Sequence, residues 1–96
     1  MNAADSEREE LAEFLTQPVV LDTRGPLLYL GTLSAAGDCF WTLVDADVHD
    51  LTDSNTSKEL YILESAKHGV RKNRTSVHVR KAEIVSISKL SDVVLY

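Results

Sequence analysis

Cysteine, proline and tryptophan are scarce in this sequence, which has one, two and one of them among its 96 residues. A single cysteine, Cys39, forms no internal disulfide and offers no Cys-pair zinc site. Placed between Asp38 and Phe40, it reads as a small buried residue. No run approaches the ~20 apolar residues of a membrane-spanning helix. The acidic start "MNAADSEREELAEF" has neither the basic opening nor the apolar run of a secretory signal, so a cytoplasmic location and no membrane partner are expected. A glycine-rich phosphate loop and a CxxC pair are also lacking. An enzyme is therefore not expected, and no cofactor is.

What is there suits one small globular domain, residues 1–96, since 44% hydrophobic and 26% charged residues permit a modest core under a charged surface. The formal net charge of −5 is divided unevenly. Residues 1–59 carry twelve acids and three bases, residues 60–96 three acids and seven bases. Six of the ten basic residues lie within "KHGVRKNRTSVHVRK", Lys67 to Lys81. That polarity suits an anionic partner, and equally suits self-association of an acidic face with a basic one.

The first element predicted is a helix over about 6–16. Ser6 and Glu9 have capping-box spacing, while Leu11, Phe14 and Leu15 form one apolar stripe. Pro18 ends it. "VVLDT", the turn "RGP" and "LLYLGTL" read as a hairpin, with Gly31 marking a sharp bend or close backbone approach. The turn "SAAGD" delivers a third strand, "CFWTLVDADV". After a polar loop, "SKELYILESAKHG" reads as a helix with Leu60, Ile62 and Leu63 as its apolar stripe and Gly69 as its C-terminal cap, and the short apolar run of "ELYIL" reads alternatively as a strand. "TSVHVR" alternates as a strand, with Val77 and Val79 on one face and His78 and Arg80 on the other. "AEIVSIS" follows after a tight connection. Strands are thus expected over about 18–48 and 76–89, with a loop and helix inserted over about 51–75.

Residues 19–46, "VVLDTRGPLLYLGTLSAAGDCFWTLVDA", resemble the first motif of the Sm-like small β-barrel family, with Gly31, Leu33, Asp38, Leu43 and Ala46 in the motif positions. Residues 77–88, "VHVRKAEIVSIS", resemble the second. The chain looks like a divergent member of that family. The resemblance implies a mainly β fold: a small, bent, five-stranded antiparallel barrel with an N-terminal helix and a second helix inserted between strands 3 and 4. It also implies subunits that join through strands 4 and 5, here about 76–80 and 83–89, into a ring or other homo-oligomer. Barrel closure independently suits short strands that must hide their edges.

Two departures bear on RNA, the partner the resemblance suggests. Phe40 stands where RNA-binding members carry a base-holding Asn. The second motif's Arg-Gly is Arg80-Lys81, which keeps the arginine at a pore-side loop and loses the glycine. The candidate nucleic-acid contacts are Phe40, His78, Arg80, Lys81, Arg71, Lys72 and Arg74, where cations would neutralise phosphate and an aromatic ring would stack a base. Arg71, Lys72 and Arg74 read alternatively as a solvated loop, or as a docking surface for acids such as Asp45 and Asp47 of a neighbour. Phe40 and Trp41, being adjacent, point to opposite faces. Asp45, Asp47 and His49 alternate, so a straight strand would put them on one face. They would converge poorly on a metal, and no metal site is expected. The contrasting reading is a scaffold that kept the barrel and lost the RNA pocket.

Overall fold

The computed structural model describes residues 3–53 and 55–95. Helix α1 (Ala3–Leu11) opens the chain and runs into a 3-10 turn, Ala12–Phe14. Then come β1 (Pro18–Thr23), β2 (Leu27–Ala36) and β3 (Phe40–Asp50). Helix α2 (Lys58–His68) intervenes before β4 (Arg74–Arg80) and β5 (Ile84–Lys89). The five strands form one antiparallel sheet in the order β4-β3-β2-β1-β5. Val79 of β4 is buried in the same apolar cluster against which Val77 of β4 and Ile84 and Ile87 of β5 pack. The sheet therefore curls around that cluster into a barrel that stays open between its two outer strands.

Register slips between Leu30 and Thr32 and between Leu33 and Ala35 where β2 meets β3, and between Asp22 and Thr23 where β1 meets β5; the first of these slips is built around Gly31. β2 loses register with β3 between Leu30 and Thr32, where Gly31 faces two residues, Asp45 and Ala46. Asp45 takes up the extra length with φ = 49°, the left-handed conformation that Asp tolerates better than most residues. A side chain at position 31 would put its Cβ 3.1 Å from both Ala46 Cα and the Val44 carbonyl oxygen. Glycine is what lets the strands approach this closely.

The bulge switches the buried face. Trp41, Leu43 and Ala46 enter the cluster inside the barrel with Val19, Leu21 and Leu33. Leu28 and Leu30 face the other way and join Val20 in a second cluster, covered by Tyr61 and Ile62 of α2, with Leu51, Val70 and Leu90 at its margins. β1 lies between the two clusters, which is why Val19, Val20 and Leu21 are all buried.

Local expectations were corrected at three points. Ser6 lies inside α1 and does not cap it, because helix-favouring residues Ala3 and Ala4 carry the helix upstream. Helix geometry stops before Pro18: Leu15 is extended and Thr16 is left-handed at φ = 65°. Thr16 N–H donates to Leu33 O at 2.7 Å and Leu33 N–H to Gln17 O at 3.1 Å, leading the chain into β1. In α2, Ser57 caps the start by accepting from Leu60 N–H at 3.2 Å, and Gly69 ends it with φ = 91°. Yet Leu60 is 46% exposed while Ser65 is buried, since the helix is rotated to send Tyr61 toward the sheet.

Gly31→Ala is expected to keep the fold but lose about 1–3 kcal/mol, the usual cost of overpacking a filled site. Urea unfolding of the two proteins measures it, and an unchanged midpoint would mean the bend does not depend on the missing Cβ.

Candidate nucleic-acid interface

β3 and β4 pair so that Phe40 lies opposite Arg80 and Thr42 opposite His78. Trp41 turns inward and is 7% exposed, whereas Phe40 turns outward and is 46% exposed. The Arg80 guanidinium carbon sits 5.6 Å from the Phe40 ring centroid, within cation–π range. Beside this pair, Thr42 Oγ1 and His78 Nδ1 are 2.8 Å apart. An aromatic face, a guanidinium and an imidazole thus share one patch on the outer surface of the barrel.

The patch adjoins two connections. Gly37 to Cys39 links β2 to β3, and the 3-10 turn Lys81–Glu83 links β4 to β5. The Lys81 N–H donates to Cys39 O at 2.8 Å, holding the two connections side by side. Arg24, in the β1–β2 turn, donates through Nε to Ala82 O at 3.1 Å and through its backbone N–H to Glu83 O at 3.0 Å. A cleft of about 180 Å³ at this end includes Tyr29, His78 and Arg80 in its walls. Sequence reasoning missed Arg24 and Tyr29. Arg24 gives itself away only as the cation of the "RGP" turn, and Tyr29 only as the aromatic residue of "LLYLGTL".

Helix α1 is tied to both connections. The Glu7 carboxylate pairs with the Lys81 ammonium, and Arg8 Nη2 pairs with Asp38 Oδ1 at 3.1 Å. Lys81 is therefore already engaged by an acid of its own chain. Cys39, expected to be buried, is exposed in the turn before β3, because the strand begins only at Phe40 and the first inward side chain is Trp41.

The remaining basic candidates lie elsewhere. β4 separates Arg74 from Arg80 by six residue steps, or about 20 Å at ~3.3 Å per residue. At the far end Lys72 Nζ is 3.8 Å from Asp45 Oδ2 of the same chain. Arg74 Nη1 donates to Asn73 O at 3.0 Å, and Arg71 projects near Tyr61. The single basic stretch of the sequence thus becomes two separate clusters.

The Asp45, Asp47 and His49 face does not form. The bulge leaves Asp45 in solvent, whereas Asp47 is 1% exposed beneath α2. Among the described residues no three His, Cys, Asp or Glu side chains gather as a metal-ligand set. Asp47 instead accepts from Tyr61 Oη at 2.5 Å and from Asn73 Nδ2 at 3.0 Å. The His49 ring stacks on Tyr61 with centroids 3.7 Å apart. Asn73 closes the set by accepting from Val48 N–H at 2.9 Å and donating to Val48 O at 3.1 Å. A buried carboxylate that accepts these bonds fastens α2 and the segment before β4 to the sheet.

This architecture is that of an Sm-like fold. No protein-family model matches the chain, and no curated protein matches it. Among solved structures it is similar to the Sm protein of Pyrococcus abyssii in complex with a uridine heptamer, at 15% identity and a TM-score of 0.56, covering 93% of this chain and 99% of that one. At that identity the likeness establishes the fold. Among the described residues no helix is long and apolar enough to cross a membrane.

Burial and the bond to Asp47 push the Tyr61 hydroxyl up to about 12 from 10.0. Because the folded value exceeds the unfolded one, the stabilisation from this hydroxyl is complete below pH 10 and is lost as pH rises toward about 12. Urea unfolding of the wild type and Tyr61→Phe should show a stability gap that narrows across this window. A gap independent of pH would remove the Tyr61–Asp47 bond from the account.

Proposed function

We propose that the protein is an RNA-binding Sm-like module that works by contact alone, without catalysis. The observation carrying this reading is the exposed Phe40 ring with the Arg80 guanidinium above it, set where the two connections meet. A base stacked on Phe40 would gain about 1–3 kcal/mol, while Arg80 supplies charge to a flanking phosphate. His78 adds a hydrogen-bonding ring on the same face. Lys81 joins them when it exchanges Glu7 for a phosphate. The likeness to a fold solved with a uridine heptamer supports single-stranded RNA as the ligand class. Arg71, Lys72 and Arg74, about 20 Å away by strand rise, stand apart from this patch.

The same reading includes self-association. β4 and β5 are the outer strands, each with one edge that no strand pairs among the described residues. Exposed edges of this kind are satisfied by strand addition, and unlike edges join head to tail, which closes into a ring when the rotation permits. A cytoplasmic setting is consistent with an exposed free thiol at Cys39. The contrasting reading, a scaffold without RNA, is favoured by one observation: the Glu7–Lys81 pair already occupies a cation of the site.

Fluorescence anisotropy with a labelled uridine heptamer at two salt concentrations tests the proposal. Binding should weaken as salt rises, Phe40→Ala should lose roughly 5- to 150-fold in affinity, the equivalent of about 1–3 kcal/mol, and Arg80→Ala should flatten the salt dependence by about one ion. No binding at low salt, or binding indifferent to both substitutions, would leave the scaffold reading.

A further inference from the structure

Helix α1 covers the inner apolar cluster incompletely. Leu11 and Phe14 pack against that cluster, while Glu7 and Glu10 share a helical face with Leu11 through their spacings of three and four residues. Two carboxylates therefore stand where apolar side chains would complete the cover. Between α1 and the sheet lies a cleft of about 330 Å³ whose apolar walls are Leu11, Phe14, Trp41, Ile84 and Ile87. Glu7, Glu10 and Lys81 complete its lining. A concave space of ~300–1,000 Å³ with apolar walls and a few polar groups is the usual form of a small-molecule site.

The indole of Trp41 supplies an independent pointer to a ligand. Trp41 is 7% exposed, and its Nε1–H is buried with no hydrogen-bond partner among the described residues. A donor left in that state costs stability, and a native fold that keeps one calls for an acceptor. A bridging water needs two or more polar partners. Of the other polar groups in the lining, Glu7 and Lys81 already hold each other. Glu10 is exposed and makes no ion pair among the described residues. The cleft thus offers an unused donor in its wall and an unused acceptor at its rim.

We propose that the cleft beneath α1 binds a small, flat, neutral molecule that presents a hydrogen-bond acceptor to the Trp41 indole N–H and a donor to Glu10. Flatness follows from the aromatic walls, Phe14 and Trp41, whose rings favour other planar apolar groups. Neutrality follows from the charges. The Glu7–Lys81 pair leaves no unmatched cation for an acid, and the lone Glu10 repels anions while it accepts from an N–H or O–H. The apolar body of such a molecule would fill the space that the two glutamates leave, which burial favours. This site is separate from the proposed RNA patch and stands without it.

Titrations of the full chain followed at the indole N–H resonance test the proposal, since Trp41 is the sole tryptophan. 7-Aminocoumarin, a flat bicycle with a carbonyl at one end and an amine at the other, should move that resonance downfield and saturate. 2-Aminonaphthalene lacks the carbonyl, and should bind roughly fivefold more weakly, the equivalent of one hydrogen bond, without the downfield move. Coumarin lacks the amine and should lose about as much. Glu10→Ala, at an exposed position, should erase the difference between aminocoumarin and coumarin. Leu11→Phe, which fills the cleft from its wall, should weaken aminocoumarin at least tenfold, with circular dichroism confirming that it folds. A resonance that aminocoumarin leaves in place, equal binding of aminocoumarin and 2-aminonaphthalene, or full binding by folded Leu11→Phe would overturn the site. A preference for aminocoumarin over coumarin that survives Glu10→Ala would overturn the role of Glu10.

Discussion

The close approach of Gly31 to Ala46 is the contact on which the rest of the molecule depends. One extra residue in β3, absorbed at Asp45, reverses which side chains face inward along the remainder of the strand. Before it, Trp41 and Leu43 point into the barrel. After it, Asp47 points under α2. A sheet of five strands thereby serves two apolar clusters, and a chain of 96 residues covers both faces of its central strands. The curl that follows leaves two unlike edges free at β4 and β5 and brings the β2–β3 and β4–β5 connections together at one end.

Much of this was legible from residue order. Alternation in "TSVHVR" identified the buried side of β4, the Gly in "LLYLGTL" marked the bend, and Gly69 marked the end of α2. These signals are local, because period-two burial and the conformational freedom of glycine act over a few residues. Phe40 and Trp41 were likewise sorted to opposite faces by adjacency alone. The cation–π contact of Arg80 with Phe40 depends on strand register, which residue order alone does not supply.

What was not legible depends on long-range partners. Asp45, Asp47 and His49 keep strict alternation in sequence, and only the facing Gly31 reveals that the strand is not straight there. The rotation of α2 is set by Tyr61 reaching Asp47, fourteen residues away in sequence, which overrides the stripe suggested by Leu60 and Leu63. Spread across fifteen residues of sequence, the basic stretch looked like one patch, yet the length of β4 carries its two halves to opposite ends of the strand. The engagement of Lys81 is hidden from local sequence because its partner, Glu7, lies seventy-four positions upstream.

The position of Cys39 gives the chain a built-in reporter. It is the sole thiol, it is exposed, and its carbonyl oxygen accepts the Lys81 N–H from the neighbouring connection. A fluorophore attached there would sit one residue from Phe40 and one hydrogen bond from Lys81 without the need to engineer away any other cysteine. Its emission would register whatever settles on or shifts these two loops, whether a nucleotide or the departure of α1.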